Sequence, residues 1–186
     1  KEGKSKNIIF FIEGNSHTAH YIPVFNSINF NKNDNIYFEH STNILDTKTV
    51  QKINNLKKIY NEVVFVTNIE NYNLNHLNIV KEKLEKNISV LLLSTVPNIG
   101  ENINPLKCFI KNIDCKYSKI YDFKKKNLDE YFSIIDKFIK SNDDRKILFF
   151  DSYKTICPRD ICYVYKSDED ILSHRDNSHL TIEGSL

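Results

Sequence analysis

Five short apolar runs, each followed by a longer stretch of polar and apolar residues, restrict this chain more than any other feature of its sequence. They are Asn7–Glu13, Asn35–Glu39, Glu62–Thr67, Ile88–Ser94 and Lys146–Phe150. Each is rich in Ile, Val, Phe or Leu, the pattern of strands covered on both faces. Among the intervening segments, Thr47–Tyr60 repeats Val50, Ile53, Leu56 and Ile59 at helical spacing. Leu74–Leu84 sets Leu77, Val80 and Leu84 on one face, and Leu128–Ile139 carries Tyr131, Phe132, Ile135, Phe138 and Ile139. A further helix is expected from Ser16 to about Ile28, with Pro23 limiting where its regular part begins. Strands alternating with helices build a mostly parallel sheet with helices on both faces, a three-layer α/β/α domain. A chain of 186 residues is most simply one such domain, residues 1–186. No repeat, linker or low-complexity segment divides it. Val96–Lys119 holds two of the four prolines and one cysteine pair, and reads as a long surface loop.

A net charge of +2 offers no argument for a nucleic-acid partner. No run of 18 apolar residues exists, so no segment of this sequence is expected to span a bilayer. With no methionine in the chain, the expectation is a mature or excised part of a longer protein, one that would have lost any signal peptide. The four cysteines fall as Cys108/Cys115 and Cys157/Cys162, each pair in a polar, loop-like stretch. Three pairings are possible. Two local disulfides are the simplest reading and imply an oxidising compartment. A zinc site is the alternative, but six and four intervening residues are not the tight two-residue knuckle of common zinc folds.

The chemistry-bearing residues lie at the two ends. The first strand breaks into Gly14-Asn15-Ser16-His17, and Asp176-Asn177-Ser178-His179 precedes Leu180-Thr181. Glycine permits a tight turn, and a helix beginning just after Ser16 aims free N–H groups at a developing oxyanion. The alternative is that Ser16 only caps that helix. A carboxylate at Asp176 can hold one imidazole nitrogen of His179 and leave the other to take a serine proton. The alternative is Asp176 as the N-cap of a terminal helix. His17 and His20 are further polar residues near the serine. About 160 residues separate Ser16 from Asp176, yet the ends of an α/β chain meet readily, because strand ends gather on one side of the sheet.

Together these residues resemble the SGNH (GDSL-like) hydrolase superfamily, and more closely the SGNH domain fused to the C-terminus of membrane acyltransferase-3 proteins. That family opens with Gly-Asp-Ser-His, here Gly14-Asn15-Ser16-His17. It closes with elements that stand here as Asp151, Ile156-Cys157-Pro158, Cys162, Asp176, His179-Leu180-Thr181 and Gly184. Its earlier cysteine pair corresponds to Cys108 and Cys115. The resemblance covers nearly the whole chain and implies a flavodoxin-like fold with a five-stranded, mostly parallel sheet. It also implies a triad of Ser16, His179 and Asp176, with an oxyanion hole from the Ser16 N–H and an Asn after the third strand, for which Asn68 is the candidate. The other reading of Asn68 is a strand-ending turn residue. The chain departs from the superfamily in Asn15, where Asp is usual. It departs again after the second strand, where His40-Ser41-Thr42 stands without a glycine.

The expected activity is transfer of an acyl group, acetyl by preference, to a cell-envelope glycan such as lipopolysaccharide, another surface polysaccharide or peptidoglycan. No metal or organic cofactor is needed. The implied partner is an N-terminal membrane domain that passes on the acyl group. The implied location is the periplasmic or extracellular face, tethered to the cytoplasmic membrane. A secreted carbohydrate O-acetylesterase and a catalytically weak glycan-binding module are the alternatives.

Overall fold

The computed structural model describes residues 5–27, 35–40, 45–69, 74–99, 103–118, 128–174 and 179–181. The central sheet contains β1 (Ser5–Gly14), β2 (Asn35–His40), β3 (Tyr60–Asn68), β4 (Ser89–Leu93) and β6 (Ile147–Phe150). Its order is β2-β1-β3-β4-β6 and every pairing is parallel. All carboxyl ends therefore lie along one edge, and the order reverses between β1 and β3, where α/β sheets open a crevice for ligands. The five expected strands are all present and differ only at their ends.

The strands are apolar on both sides because both sides are covered. On one side Ile9, Phe11, Val63, Phe65, Val90 and Leu92 pack against α3 (Thr47–Ile59), α4 (Leu74–Lys83) and α6 (Leu128–Lys140). Ile53 of α3, Leu77 and Val80 of α4, and Tyr131, Ile135 and Phe138 of α6 supply that cluster. On the other side Ile12, Val66 and Leu93 meet Tyr21, Phe25, Val96 and Leu180. The period-two alternation along each strand thus sends successive side chains into two separate cores.

Three features depart from the sequence expectations. The helix after Ser16 is broken into α1 (Ser16–Ala19) and α2 (Ile22–Ser27). Pro23 lacks the N–H that a continuous helix would have bonded to the Ala19 carbonyl, so a new helix starts with proline in its first turn. The supposed loop Val96–Lys119 contains α5 (Pro105–Lys111) and β5 (Cys115–Ser118). Asn104 caps α5, its Oδ1 accepting from Lys107 N at 2.9 Å, and Asn112 ends it in the left-handed region at φ 50°. The third departure is a second sheet, β5-β7-β8, all antiparallel, from β5, β7 (Ile161–Lys166) and β8 (Ile171–Leu172). Between the sheets lie α7 (Ser152–Ile156) and a short 3₁₀ turn, Pro158–Asp160.

Both local cysteine pairs are disulfides, Cys108–Cys115 and Cys157–Cys162. Neither pair lies in a loop as expected: Cys108 is in α5 and Cys115 begins β5, while Cys157 ends α7, Cys162 lies in β7, and this second pair is buried in the larger core.

Candidate active site

The first strand delivers its turn under tight steric control. Gly14 has φ 156°, and a Cβ there would lie 1.9 Å from Thr18 Oγ1. Only glycine meets both demands. Asn15 follows in extended backbone, and its Oδ1 accepts from His17 N at 2.9 Å. Asn15, not Ser16, is therefore the N-cap of α1, which corrects the capping alternative for the serine. Ser16 is the first helical residue and its side chain is exposed.

His179 comes to this turn from the other end of the chain. Ser16 Oγ and His179 Nε2 are 3.2 Å apart, and the tautomer decides which donates. The two residues that follow His179 are fastened to the small sheet and the smaller core. Leu180 is buried in the smaller core and bridges His174 in antiparallel fashion. Thr181 N donates to the Ser173 carbonyl at 2.9 Å, and the Thr181 hydroxyl donates to the Leu172 carbonyl. His174 is fully buried, its Nδ1 2.7 Å from Ser173 Oγ and its Nε2 2.9 Å from the Pro97 carbonyl. It ties the end of the small sheet to the segment after β4. His17 and His20 pack around His179, the first stacked at 5.2 Å between ring centroids and the second edge-on at 5.1 Å. Among the described residues, no group of three or more His, Cys, Asp or Glu is arranged to hold a metal ion.

Asp176, Ser41, Thr42 and Gly184 lie outside the described residues. Asn68 ends β3, next to β1 at the carboxyl edge. It is buried, and its Nδ2 donates to the Ser94 carbonyl at 2.9 Å. Its Oδ1 is buried with no hydrogen-bond partner among the described residues. The same Ser94 carbonyl accepts from Tyr21 OH at 3.0 Å. One oxygen therefore ties Asn68 to the residue that follows the Ser16 helix by two positions. Beneath it, Ser152 N donates to Ser94 Oγ at 2.8 Å, the two hydroxyls lie 2.7 Å apart, and Ser152 Oγ donates to the Thr95 carbonyl at 2.9 Å. On the opposite face Glu13 is fully buried, with both carboxylate oxygens 3.2 Å from Leu45 N, so it holds the chain that leads from β2 into α3.

Tyr21, Ser94, Ser152, His174 and Glu13 were not singled out in the sequence. A tyrosine or serine in a mixed segment carries no mark of its partners. Glu13 alone gave a usable signal, as a charge closing an otherwise apolar buried run.

Burial pushes the Tyr21 phenol up from 10.0 to about 12, against smaller lowering contributions from its hydrogen bonds with Ser152 and Ser94. The folded state thus holds this proton more tightly than the unfolded chain. The stabilisation is complete below pH 10 and is lost as pH rises toward 12, at about 1.4 kcal/mol per pH unit. The wild-type denaturation midpoint is expected to fall more steeply than that of Tyr21→Phe between these pH values. Parallel curves for the two proteins would refute the assignment.

The five-stranded parallel sheet with flanking helices and the β2-β1-β3-β4-β6 order define an α/β domain of the SGNH, flavodoxin-like architecture. The chain matches the family described as the SGNH domain (fused to AT3 domains) over residues 2–186, and it belongs to that family. It is accordingly a domain of the esterase or acyltransferase type, from a family joined to membrane acyltransferase domains. No helix among the described residues is long and apolar enough to cross a membrane. The two disulfides fit an extracytoplasmic compartment. No curated protein matches the chain. Among solved structures, a periplasmic binding ribose operon repressor protein from Lactobacillus acidophilus is similar at 17% identity and a TM-score of 0.33, with 79% of this chain and 57% of that one covered. The chain spans little more than half of that structure, and the likeness is too low to bear on function.

Proposed function

We propose that this domain transfers an acetyl group to a hydroxyl of a cell-envelope glycan through a covalent intermediate on Ser16. The observation that carries the proposal is the 3.2 Å approach of Ser16 Oγ to His179 Nε2 across 163 residues of chain. That is the distance at which an imidazole can take a hydroxyl proton. Asp176 orients the imidazole and stabilises its charged form.

Ser16 Oγ attacks the carbonyl carbon of the acetyl donor while its proton passes to His179 Nε2. The oxyanion is stabilised by the Ser16 N–H and by the second amide hydrogen of Asn68, the first being engaged by Ser94. Collapse breaks the bond to the donor's leaving group, which takes the proton from His179. The glycan hydroxyl then gives its proton to His179 and attacks the acetyl-serine. The second tetrahedral adduct collapses to the new ester, and the proton returns to Ser16. An N-terminal membrane domain supplies the acetyl group on the outer face of the cytoplasmic membrane, where this domain is tethered.

The exposure of Ser16 favours one second reading, a carbohydrate esterase in which water replaces the glycan hydroxyl. The two separate by rate. As a transferase domain without its donor supply, the chain alone is expected to hydrolyse activated acetyl esters slowly, with efficient glycan acetylation only in cells carrying the joined membrane domain. Release of acetate from a natural glycan by this chain alone at about 10 per second, an ordinary enzymatic rate, would establish the esterase instead.

A further inference from the structure

The disulfide-stapled excursion between the two sheets carries an apolar stripe that the fold leaves uncovered. Leu106, Phe109 and Ile110 of α5 and Ile113 just beyond it are 60%, 46%, 71% and 49% exposed. Within the helix, Leu106, Phe109 and Ile110 at i, i+3 and i+4 share one face, and Ile113 follows the turn at Asn112. The neighbouring face is the one that packs: Pro105 and Cys108 are buried, and Phe109, at the edge of the stripe, sets its ring edge-on to Tyr165 of β7 at 5.7 Å. The display is rigid. Asn104 caps the helix, Asn112 closes it, and Cys108–Cys115 staples it to β5. A rigid apolar surface binds at a lower entropic cost than a loose one.

The charge around the stripe selects its occupant. Among the described residues 103–118, three lysines, Lys107, Lys111 and Lys116, stand against one acidic residue, Asp114. Lys107 and Lys111 flank the stripe on α5, which has no acidic residue. Asp114 itself is engaged by the N–H and hydroxyl of Ser167, at 2.8 and 2.6 Å. Aliphatic tips bordered by lysines, whose stems lie along apolar surface while their ammonium groups reach polar headgroups, suit an interface that is oily below and anionic above. The family is joined to membrane acyltransferase domains, which makes a bilayer a partner to test for this surface.

We propose that the α5 excursion docks on the anionic surface of a lipid bilayer, inserting Leu106, Ile110 and Ile113 between headgroups while Lys107 and Lys111 pair with lipid phosphates. This does not depend on the chemistry assigned to Ser16. Docking here would also hold the domain through the small sheet, whose β8 leads into the His174–Leu180 bridge and so toward His179.

The test is co-sedimentation of the 186-residue chain with phosphatidylcholine vesicles, with and without about 30% phosphatidylglycerol, an anionic headgroup density sufficient for polybasic attraction. The chain is expected to bind the anionic vesicles preferentially and to be released by high salt. Leu106→Asn combined with Ile110→Asn is expected to weaken binding at least about tenfold, since each inserted aliphatic side chain contributes several-fold or more. Lys107→Gln combined with Lys111→Gln is expected to remove much of the anionic preference. Unchanged melting and ester turnover show that the variants are folded. The proposal is overturned by failure to bind anionic vesicles, by equal binding to neutral ones, or by an Asn variant that binds as the wild type does. It is also overturned if light scattering shows a dimer that the Asn variant abolishes, which assigns the stripe to a second copy of the chain.

Discussion

Ser16→Ala is expected to reduce turnover of a small acetyl ester by at least about a thousandfold while leaving the melting temperature almost unchanged. The rate effect follows from losing the covalent route, since removing one member of a serine–histidine pair forfeits most of the catalysis the pair provides. The small stability effect follows from the local structure. Ser16 is exposed, and the orphan N–H of the first helical turn is satisfied by Asn15. An exposed substitution away from a cap changes stability by no more than about 0.5 kcal/mol, a shift of about 1–2 °C for a chain of this size. Asn15→Ala gives the opposite profile. It removes the cap at a cost of about 1 kcal/mol and keeps the nucleophile, so activity is expected to persist with a lower melting temperature. His179→Ala should resemble Ser16→Ala, and the double variant should be little worse than either single one, because groups that act as a unit are not additive. Wild-type activity in Ser16→Ala would remove the serine from the chemistry.

What was legible in the sequence follows the strength of the local signals. All five central strands were readable because a strand buried on both faces must be apolar at successive positions, as Phe10, Phe11 and Ile12 are. Successive side chains enter two different cores, so both faces of each strand are apolar. The helices α3, α4 and α6 were readable because each buries one face against the sheet. Helix α5 obeyed its start and stop signals at Asn104 and Asn112 but hid its pattern, because its apolar stripe faces outward. The small sheet was missed for another reason. Its β7–β8 hairpin is local, with Lys166 opposite Ile171, but β5 joins it by pairing Cys115 with Tyr165 and Ser118 with Ile161, contacts more than 40 residues apart that no short window contains. At the site, Gly14, Ser16 and His179 were visible as residue types at strand and chain ends. Tyr21, Ser94 and His174 act through carbonyl oxygens, those of Ser94 and Pro97 among them, and a backbone acceptor leaves no trace in residue identity.

The two disulfides are expected to differ in what they protect. They close short loops, with sequence separations of 7 and 5 residues. In the chain-entropy picture each stabilises the fold by about 2 kcal/mol, a sizeable share of the roughly 5–15 kcal/mol that holds a domain together. Cys157 and Cys162 add a packing contribution, because both sulfurs sit in the larger core. Replacing that pair by alanine is expected to cost about 2–4 kcal/mol and to lower the melting temperature by about 5–15 °C. It should also reduce ester turnover. Cys162 lies in the middle strand of the small sheet, and β8, which pairs with that strand, leads directly into the bridge that seats His179. Replacing Cys108 and Cys115 removes a staple of similar entropic worth from β5 and α5 on the far side of the same strand. That variant is expected to lose about 2 kcal/mol and to keep most of its turnover below its melting transition. The measurements are denaturant midpoints of both variants, with ester turnover taken well below each transition. Equal losses of activity in the two would show that the histidine is seated without help from β7. Full activity in the Cys157/Cys162 variant would show the same.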